Sequence, residues 1–221
     1  MAKVDLQFRL TGAIIPVDHG YPLFSAITGI LPEIHGDRDI GVHPINGRLI
    51  GNRLMALTER SRLTLRIPAD RISSLLALAG KTLRIAGRHI RIGVPRVRPL
   101  VPRPCLYSRL VIIKGFMEPA DFLEAVTDRL RTMNVRGDPV LIRQSSMSQG
   151  NTGGHIGTRS PVLRRTIRIK TKEIVGFAVL VRNLPAKDSI LLQEEGVGGR
   201  RRFGCGVFIP AGGNQGGLSG T

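Results

Sequence analysis

The chain contains little cysteine and no long apolar run, and both absences limit what it can be. Its two cysteines, Cys105 and Cys205, stand alone and far apart, which gives neither a disulfide framework nor the closely spaced pair of a zinc site. No apolar run has the roughly 20 residues needed to cross a bilayer, and the N-terminus lacks the pattern of a signal peptide. We therefore expect a cytoplasmic protein.

Aromatic and acidic residues are also scarce. The chain has no tryptophan, two tyrosines and seven phenylalanines, which argues against a recognition sheet that stacks bases on several rings. Asp and Glu number 16 against 33 Lys and Arg, so the formal net charge is +17 over 221 residues. This excess predicts a partner that carries many phosphates, with an anionic membrane surface as the alternative.

The hydrophobic pattern of the first half predicts a ferredoxin-like domain over residues 1–95. Apolar residues alternate with polar ones in the strand segments and recur at helical spacing between them. The predicted elements are a strand over 4–15, a helix over 23–34, strands over 40–45 and 63–67, a helix over 70–78, and strands over 83–85 and 89–92. This βαββαβ order is that of a split-βαβ, or ferredoxin-like, unit.

A similar order follows a segment rich in proline and arginine, which we predict to be a stiff linker over residues 96–105. The elements predicted after it are a strand over 107–113, a helix over 119–133, a strand over 140–143, a hairpin within 164–184, a helical turn near Leu191 and a strand over 207–209. We therefore predict an α+β fold of two tandem ferredoxin-like domains. The second, over 106–210, is partly degenerate, and residues 211–221 form a flexible tail.

A glycine-rich segment near the C-terminus is the most distinctive stretch of the sequence. In residues 196–206, here named the glycine loop, five glycines surround Arg200, Arg201 and Arg202. Glycines allow positive φ, turned backbone amides form a concave anion site, and arginine donates in pairs to phosphate. A strand follows instead of a helix, and no Gly-Lys-Ser/Thr closes the loop, so it is neither a dinucleotide fingerprint nor a P-loop. We predict a phosphate-gripping loop, with a flexible solvated loop as the alternative.

A basic strand precedes the glycine loop. Residues 159–202 contain eleven Lys/Arg against four Asp/Glu. Alternation places Arg164, Arg168 and Lys170 on one strand face and Ile167 and Ile169 on the other. Such a stripe suits a phosphodiester backbone. The predicted nucleic-acid contacts are Arg143, Arg164, Arg165, Arg168, Lys170, Gly198, Gly199, Arg200, Arg201, Arg202 and Gly204.

Any chemistry would have to come from histidines, because neither a metal motif nor a nucleophile motif appears. The carboxylates are not arranged as a two-metal cluster, which argues against a Mg²⁺-dependent nuclease. His19 precedes the first predicted helix, His35 ends it, and His43 lies in the next strand. A histidine can take the proton of a ribose 2′-OH or protonate a leaving 5′-oxygen, although a histidine at a helix end is often only a solvated cap.

Several segments together resemble one known family. They are Gly-Cys-Gly-Val-Phe-Ile-Pro at 204–210, Val-Asp-His-Gly-Tyr-Pro-Leu-Phe-Ser-Ala at 17–26, and Leu-Pro-Glu-Ile-His at 31–35. In combination they resemble the CRISPR repeat-RNA processing endoribonucleases, and the resemblance extends over nearly the whole chain. It implies two tandem ferredoxin-like domains, which agrees with the pattern analysis.

The resemblance also implies an activity and partners. Such enzymes cut CRISPR precursor RNA within the repeat without a metal or other cofactor. The 2′-OH attacks the adjacent phosphate and leaves a 2′,3′-cyclic phosphate and a 5′-OH. Many remain on the 3′ hairpin of the mature crRNA as a subunit of the interference complex, and no membrane is involved. A non-catalytic crRNA-binding subunit of such complexes is the alternative, and a ribosomal-type RNA-binding protein is a third.

The resemblance implies candidate catalytic residues as well. The family's catalytic histidine lies at or just after the first helix, which corresponds to His35. The full set of candidates is His35, then His43 in the same cleft, then His19 at the helix start, with Tyr21 and with Ser145 as an assisting hydroxyl. Where some members have a lysine in the site, Arg48 or Arg53 would have to replace it.

Overall fold

An antiparallel five-stranded sheet organises the first half of the chain in a computed structural model that describes residues 2–143 and 161–212. The elements of this half are β1 (Lys3–Thr11), β2 (Ile14–Pro16), α1 (Gly20–Thr28), β3 (Gly41–Val42), β4 (Arg48–Gly51), β5 (Leu54–Ala56), β6 (Arg62–Pro68), α2 (Ile72–Leu75), β7 (Thr82–Ile85) and β8 (Arg88–Pro99). The sheet order is β3-β6-β1-β8-β7, and β2, β5 and β4 form a separate small sheet.

The alternation of apolar and polar residues in β1 and β6 places the apolar residues on one face of the sheet. Leu6 and Phe8 are fully buried, while Asp5 and Gln7, which alternate with them, point to the opposite face of the sheet. Because β1 and β6 pair residue by residue, the apolar positions of both strands face the same core. With α1 and α2 as the two crossover segments, the order β3-β6-β1-β8 is that of a ferredoxin-like domain, as predicted.

The second half repeats this arrangement in a shortened form. Its elements are β9 (Leu106–Val111), α3 (Pro119–Thr132), β10 (Asp138–Leu141), β11 (Arg164–Ile169), β12 (Lys172–Arg182), α4 (Ala186–Glu195) and β13 (Ile209–Pro210). The order β10-β12-β9-β13 matches that of the first sheet, and β11 forms a hairpin with β12. The last strand has only two residues, so the fold class is confirmed together with the degeneracy of the second domain.

Several predicted elements have different bounds, among them the first helix, the first strand and the turn near Leu191. The first helix ends at Thr28 and not near residue 34, because Pro32 starts a separate 3-10 turn and holds Leu31 outside the helical region. The strand predicted over 4–15 is divided, since β2 leaves the main sheet to pair with β5. The turn predicted near Leu191 belongs to the ten-residue helix α4.

The predicted linker is partly a strand. β8 continues to Pro99 and pairs with β1, including Val97 opposite Leu6 and Pro99 opposite Val4, so residues 96–99 are sheet and not linker. Prolines are tolerated here because β7 covers only Arg88–Arg91, which leaves the rest of that side of β8 as a sheet edge. The domain boundary itself stays a prediction.

One hydrophobic core spans both halves. Leu110, Ile112, Ile167, Phe203 and Cys205 of the second half are buried in the same cluster as the apolar faces of β1, β6 and α1. A second cluster lies within the second half, around Phe122 and Phe177. The halves are therefore packed together, and side chains from both can form one site. None of the helices in the described part of the chain combines the length and apolarity that crossing a membrane requires.

A buried arginine reinforces this packing. Arg66, which is 2% exposed, donates to both carboxylate oxygens of Asp5 at 2.8 and 2.9 Å and to the carbonyl oxygens of Gln193 and Phe208 at 2.9 and 2.6 Å. Burial by itself would raise the pKa of the Asp5 carboxyl, but nearby His43 and Arg66 favour the charged form and hold it well below the usual range. One guanidinium thus joins the first sheet to two segments of the second half.

Candidate functional site

The start of α1, the glycine loop and β11 meet at Gly20. A Cβ atom at this position would clash with the carbonyl oxygen of Phe203 and lie 2.9 Å from Cδ1 of Ile167. Only a glycine allows the glycine loop and the basic strand to approach the helix start this closely. Arg168 adds a hydrogen bond, since its backbone N–H donates to the Asp18 carboxylate at 2.9 Å.

The glycine loop is anchored by backbone hydrogen bonds to β9 and to the residue that follows it. The N–H of Gly199 donates to the carbonyl of Ile112 at 3.1 Å, and the N–H of Gly206 donates to that of Leu110 at 2.7 Å. Gly198 has a φ of 80°, and a Cβ there would clash with the Ile112 oxygen. The loop is therefore a packed structure in which glycine is required, and not the flexible solvated segment of the alternative interpretation.

The three arginines of the loop have different surroundings. Arg201 donates to the carbonyl oxygens of Glu194, Glu195 and Arg38 at 3.1, 2.6 and 2.6 Å. Arg202 donates to the carbonyl of His35 at 2.7 Å. Arg200 is exposed, and its side chain has no hydrogen bond or ion pair to another described residue. Of the three, Arg200 is the side chain with all its donors available to a ligand.

A first cleft, of about 540 Å³, opens between the glycine loop and the segment that follows α1. It is lined by Gly36, Asp37, Arg38, Ile40, Gly198, Gly199, Arg200, Arg201, Arg202 and Phe203. His35 is exposed at the edge of this cleft, directly before Gly36. The excess of arginine over carboxylate among the lining residues favours a phosphate-bearing ligand.

An aromatic cluster connects His35 with Tyr21. The His35 ring lies 6.1 Å from that of Phe24, Phe24 packs at 5.4 Å against Phe203, and Tyr21 lies 5.7 Å from Phe203 on the other side. The Arg202 guanidinium lies over both phenylalanine rings, at 5.5 and 5.2 Å. The structure thus brings two of the predicted catalytic residues to one cluster beside the first cleft.

His19 is enclosed by backbone groups. It is 2% exposed, its Nδ1 donates to the carbonyl of Pro16 at 2.8 Å, and its Nε2 accepts from the N–H of Ile45 at 2.9 Å. Burial lowers the pKa of the imidazole and keeps it neutral. Both ring nitrogens are therefore used in joining the start of α1 to the segment after β3.

His43 lies in a different cleft from His35. Its Nε2 is 3.3 Å from Oδ1 of Asp5, and burial lowers the pKa of its imidazole. The second cleft, of about 490 Å³, is lined by residues of both sheets: Asp5, Gln7, His43, Pro44, Asn46, Arg60, Arg62, Thr64, Arg98, Tyr107, Arg109, Gly204, Val207, Ile209 and Pro210. The predicted grouping of His35 and His43 in one cleft is not what the fold produces.

The sequence analysis missed the arginines of this second cleft, which are Arg60, Arg62, Arg98 and Arg109. Their signal is the alternation already used for the core, because Arg62 and Arg98 occupy the polar positions of β6 and β8, on the same sheet face as Asp5. Arg109 belongs to β9, and both burial and nearby Arg165 lower its pKa.

The predicted faces of the basic strand are confirmed for Arg164, Arg168 and Ile167, but Lys170 lies beyond the end of β11 and not on the strand face. Arg164 and Arg168 are exposed and Ile167 is buried, whereas Arg165 lies on the face of Ile167 and interacts with Arg109. Lys170 is exposed in the turn between β11 and β12. Arg143 forms an isolated bridge with Val162. Ser145 falls outside the described residues.

These features define a class of protein in which two tandem ferredoxin-like domains enclose basic clefts and the second domain carries a packed glycine loop. Comparison with known proteins is consistent with that class and names a family. The family model of Cas6, a CRISPR-associated protein, matches residues 4–213. The CRISPR-associated endonuclease Cas6 of Myxococcus xanthus (strain DK1622) is 36% identical over 212 residues, which is 96% of this chain and 83% of the relative. The chain belongs to the Cas6 family, and the resemblance found in its sequence is confirmed.

Solved structures agree at the level of the fold. A CRISPR-associated protein Cas6 matches with a TM-score of 0.61 at 12% identity, over 95% of this chain and all of that one. A Cas6-related protein from Pyrococcus furiosus also matches with a TM-score of 0.61, at 13% identity over 94% of this chain and 98% of that one. At such low identity these likenesses support the tandem ferredoxin-like fold alone.

Proposed function

We propose that this protein is a metal-independent endoribonuclease that cleaves CRISPR precursor RNA within the repeat. We further propose that it stays on the 3′ hairpin of the mature crRNA as a subunit of the interference complex. The observation that carries the proposal is the exposed His35 at the edge of the first cleft, beside the glycine loop, in a chain of the Cas6 family. The related Myxococcus xanthus protein is named an endonuclease, which supports the same activity.

The proposed reaction is an internal transfer at one phosphate. The ribose 2′-oxygen forms a bond to phosphorus while the bond from phosphorus to the 5′-oxygen breaks. The 2′-OH gives up its proton, and the leaving 5′-oxygen takes one. The products are a 2′,3′-cyclic phosphate and a 5′-OH. His35 exchanges a proton with a reacting oxygen, and arginines of the first cleft stabilise the negative charge that accumulates on the phosphate in the transition state.

The contacts of His35 suit this role. Arg202 holds its carbonyl oxygen at 2.7 Å, and Phe24 flanks its ring, so the backbone is held while the imidazole stays open to solvent. Arg38 and Arg200 line the adjacent cleft and supply positive charge. Basic β11 and the glycine loop both adjoin the start of α1, so an RNA backbone crossing this side meets both.

The remaining candidates receive other roles in this proposal. His19 is a positioning residue, because both of its ring nitrogens bind backbone groups. His43 contacts Asp5 in the second cleft and has a structural role there. Tyr21 supports the aromatic cluster through Phe203. Arg164, Arg168 and Arg200 contact phosphates.

The test is cleavage of the host's own CRISPR repeat RNA by purified protein in EDTA, followed by end-group analysis. We expect a single cut that leaves a cyclic phosphate, and a repeat with a 2′-deoxyribose at the cut site should be bound but not cleaved. The His35→Ala variant should cleave about 10²-fold or more slowly. It should bind RNA normally, because Arg202 contacts the backbone of residue 35 and not its side chain. His89→Ala is the control, since His89 is exposed on β8.

Each departure from these results has a distinct meaning. Tight binding of the repeat without any cut would replace the enzyme with a non-catalytic crRNA-binding subunit. Cleavage of the 2′-deoxy substrate would exclude attack by the 2′-OH. Undiminished cleavage by the His35→Ala variant would refute the role of His35.

A further inference from the structure

One aromatic side chain is exposed. The chain has nine phenylalanine and tyrosine residues, all of which lie in the described segments. Eight of them are buried or half-buried, whereas Phe116 is 39% exposed and the neighbouring Met117 is 50% exposed. Single exposed apolar residues are ordinary on protein surfaces, so the meaning of Phe116 depends on how it is held and on what surrounds it.

A tight turn holds Phe116 in place. The N–H of Phe116 donates to the carbonyl of Ile113 at 3.3 Å, and Gly115 between them has a φ of 92°. Glycine with positive φ at the third position is the signature of a type II turn. On the other side the chain enters α3, where the N–H of Phe122 donates to the carbonyl of Glu118 at 2.9 Å. The ring is thus presented from a backbone that is ordered on both sides.

The turn is adjacent to the two elements that are proposed to bind RNA, the glycine loop and β11. Ile112, directly before the turn, accepts the hydrogen bond from Gly199 of the glycine loop. Arg164 of β11 donates to the carbonyl of Met117 at 3.4 Å and lies 3.6 Å from the carboxylate of Glu118. Exposed Lys114 adds a further positive charge within the turn. Phe116 therefore lies in a turn that adjoins both the glycine loop and the basic strand.

We infer that Phe116 is a stacking platform for an unpaired base of the bound RNA, an inference that rests on the proposed function. An aromatic ring beside cations fits single-stranded nucleic acid, because the cations bind the backbone while the ring accepts the flat face of any base. A ring carried on a backbone that is already held in a turn requires little further ordering of that backbone when the base stacks on it. Of the other eight aromatic side chains, seven are buried and Tyr21 is half-buried, so none is exposed to the extent that Phe116 is.

The test compares Phe116→Ala, Phe116→Leu and Phe116→Tyr in binding titrations with the host's repeat RNA at several salt concentrations. The alanine variant should bind about 5- to 150-fold more weakly, the equivalent of roughly 1–3 kcal/mol for one stacked base. The leucine variant should be similarly weak, and the tyrosine variant should bind like the wild type. The slope of log K against log salt should not change, because no phosphate contact is lost.

Leu49→Ala is the matched control. Leu49 is 69% exposed on β4, so the substitution removes an apolar surface of similar size at a different place. Thermal melting of each variant checks the fold. Normal binding by Phe116→Ala, or by Phe116→Leu, would overturn the stacking platform. Normal RNA binding combined with loss of association with other proteins of the complex would overturn it too and identify a protein contact instead. Failure of the wild type to bind the repeat would instead refute the proposed function, and the inference with it.

Discussion

Arg200 and Arg201 of the glycine loop provide a prediction in which substitutions at neighbouring residues affect different properties, RNA binding in one case and stability in the other. Arg200 has its donors available, whereas Arg201 donates to three carbonyl oxygens within the protein. We expect Arg200→Ala to weaken RNA binding without loss of stability. Arg201→Ala should lower the free energy of unfolding, because it removes the contacts between the glycine loop, the end of α4 and Arg38.

The magnitudes follow from the contacts. Loss of one phosphate contact lowers the slope of log K against log salt by about 0.7–0.9. Raising the salt concentration from 50 to 200 mM lowers the affinity of both proteins for RNA. The factor by which it falls should therefore be about three times smaller for the Arg200→Ala variant than for the wild type. Arg201 makes three charge-assisted hydrogen bonds, but two of them lie at the surface. We therefore expect about 1–3 kcal/mol of destabilisation in total, less than three buried bonds would contribute.

The assays are RNA titrations across a salt series and urea unfolding for both variants. Arg131→Ala is the control for stability, because Arg131 is 75% exposed and pairs only with Asp128 on the surface of α3; it should stay within about 0.5 kcal/mol of the wild type. An unchanged salt slope in Arg200→Ala, or unchanged stability in Arg201→Ala, would refute the division of roles.

Two further predictions concern stability. Arg66→Met should cost about 3–5 kcal/mol in urea unfolding, because it leaves the charged, largely buried carboxylate of Asp5 without its guanidinium partner. Arg9→Met, at an exposed position of β1, should cost little, and equal effects of the two substitutions would contradict the interpretation. The lowered pKa values of His19 and His43 mean that, below a pH of about 6.5, the unfolded chain takes up protons that the folded protein does not. Stability should be complete above that pH and fall progressively towards pH 5, and a melting temperature that is flat from pH 8 to 5 would contradict the assignment.

Much of the fold could be predicted because local patterns carry it. The alternation of Leu6 and Phe8 with polar neighbours identified β1, and the same period identified β6. The helix bounds were less accurate, since Pro32 stops α1 through a local steric effect that the apolar stripe conceals. The strand through residues 96–99 was missed because its prolines suggest a linker when the edge position of β8 is unknown.

The candidate site was only partly predictable. His35 and the glycine loop were selected as candidates from the sequence, but the contact between them was not predicted, because the hydrogen bond from Arg202 to His35 joins residues 167 positions apart in the chain. The separate location of His43 depends on the packing of the two sheets, which create a second cleft with arginines from β6, β8 and β9. No local period indicates which cleft a given strand residue will face.

The sequence by itself determined the element types, the tandem ferredoxin-like order and the basic character of the second half. These depend on period, composition and glycine content within short segments. Only the tertiary structure decided the roles of individual charged groups. Arg66 and Arg201 became internal donors while Arg200 stayed open to a ligand, and His19 was enclosed while His35 stayed exposed. The physical reason is that burial and hydrogen-bond partners come from residues distant in the chain, and these partners decide whether a donor or a proton is available for function.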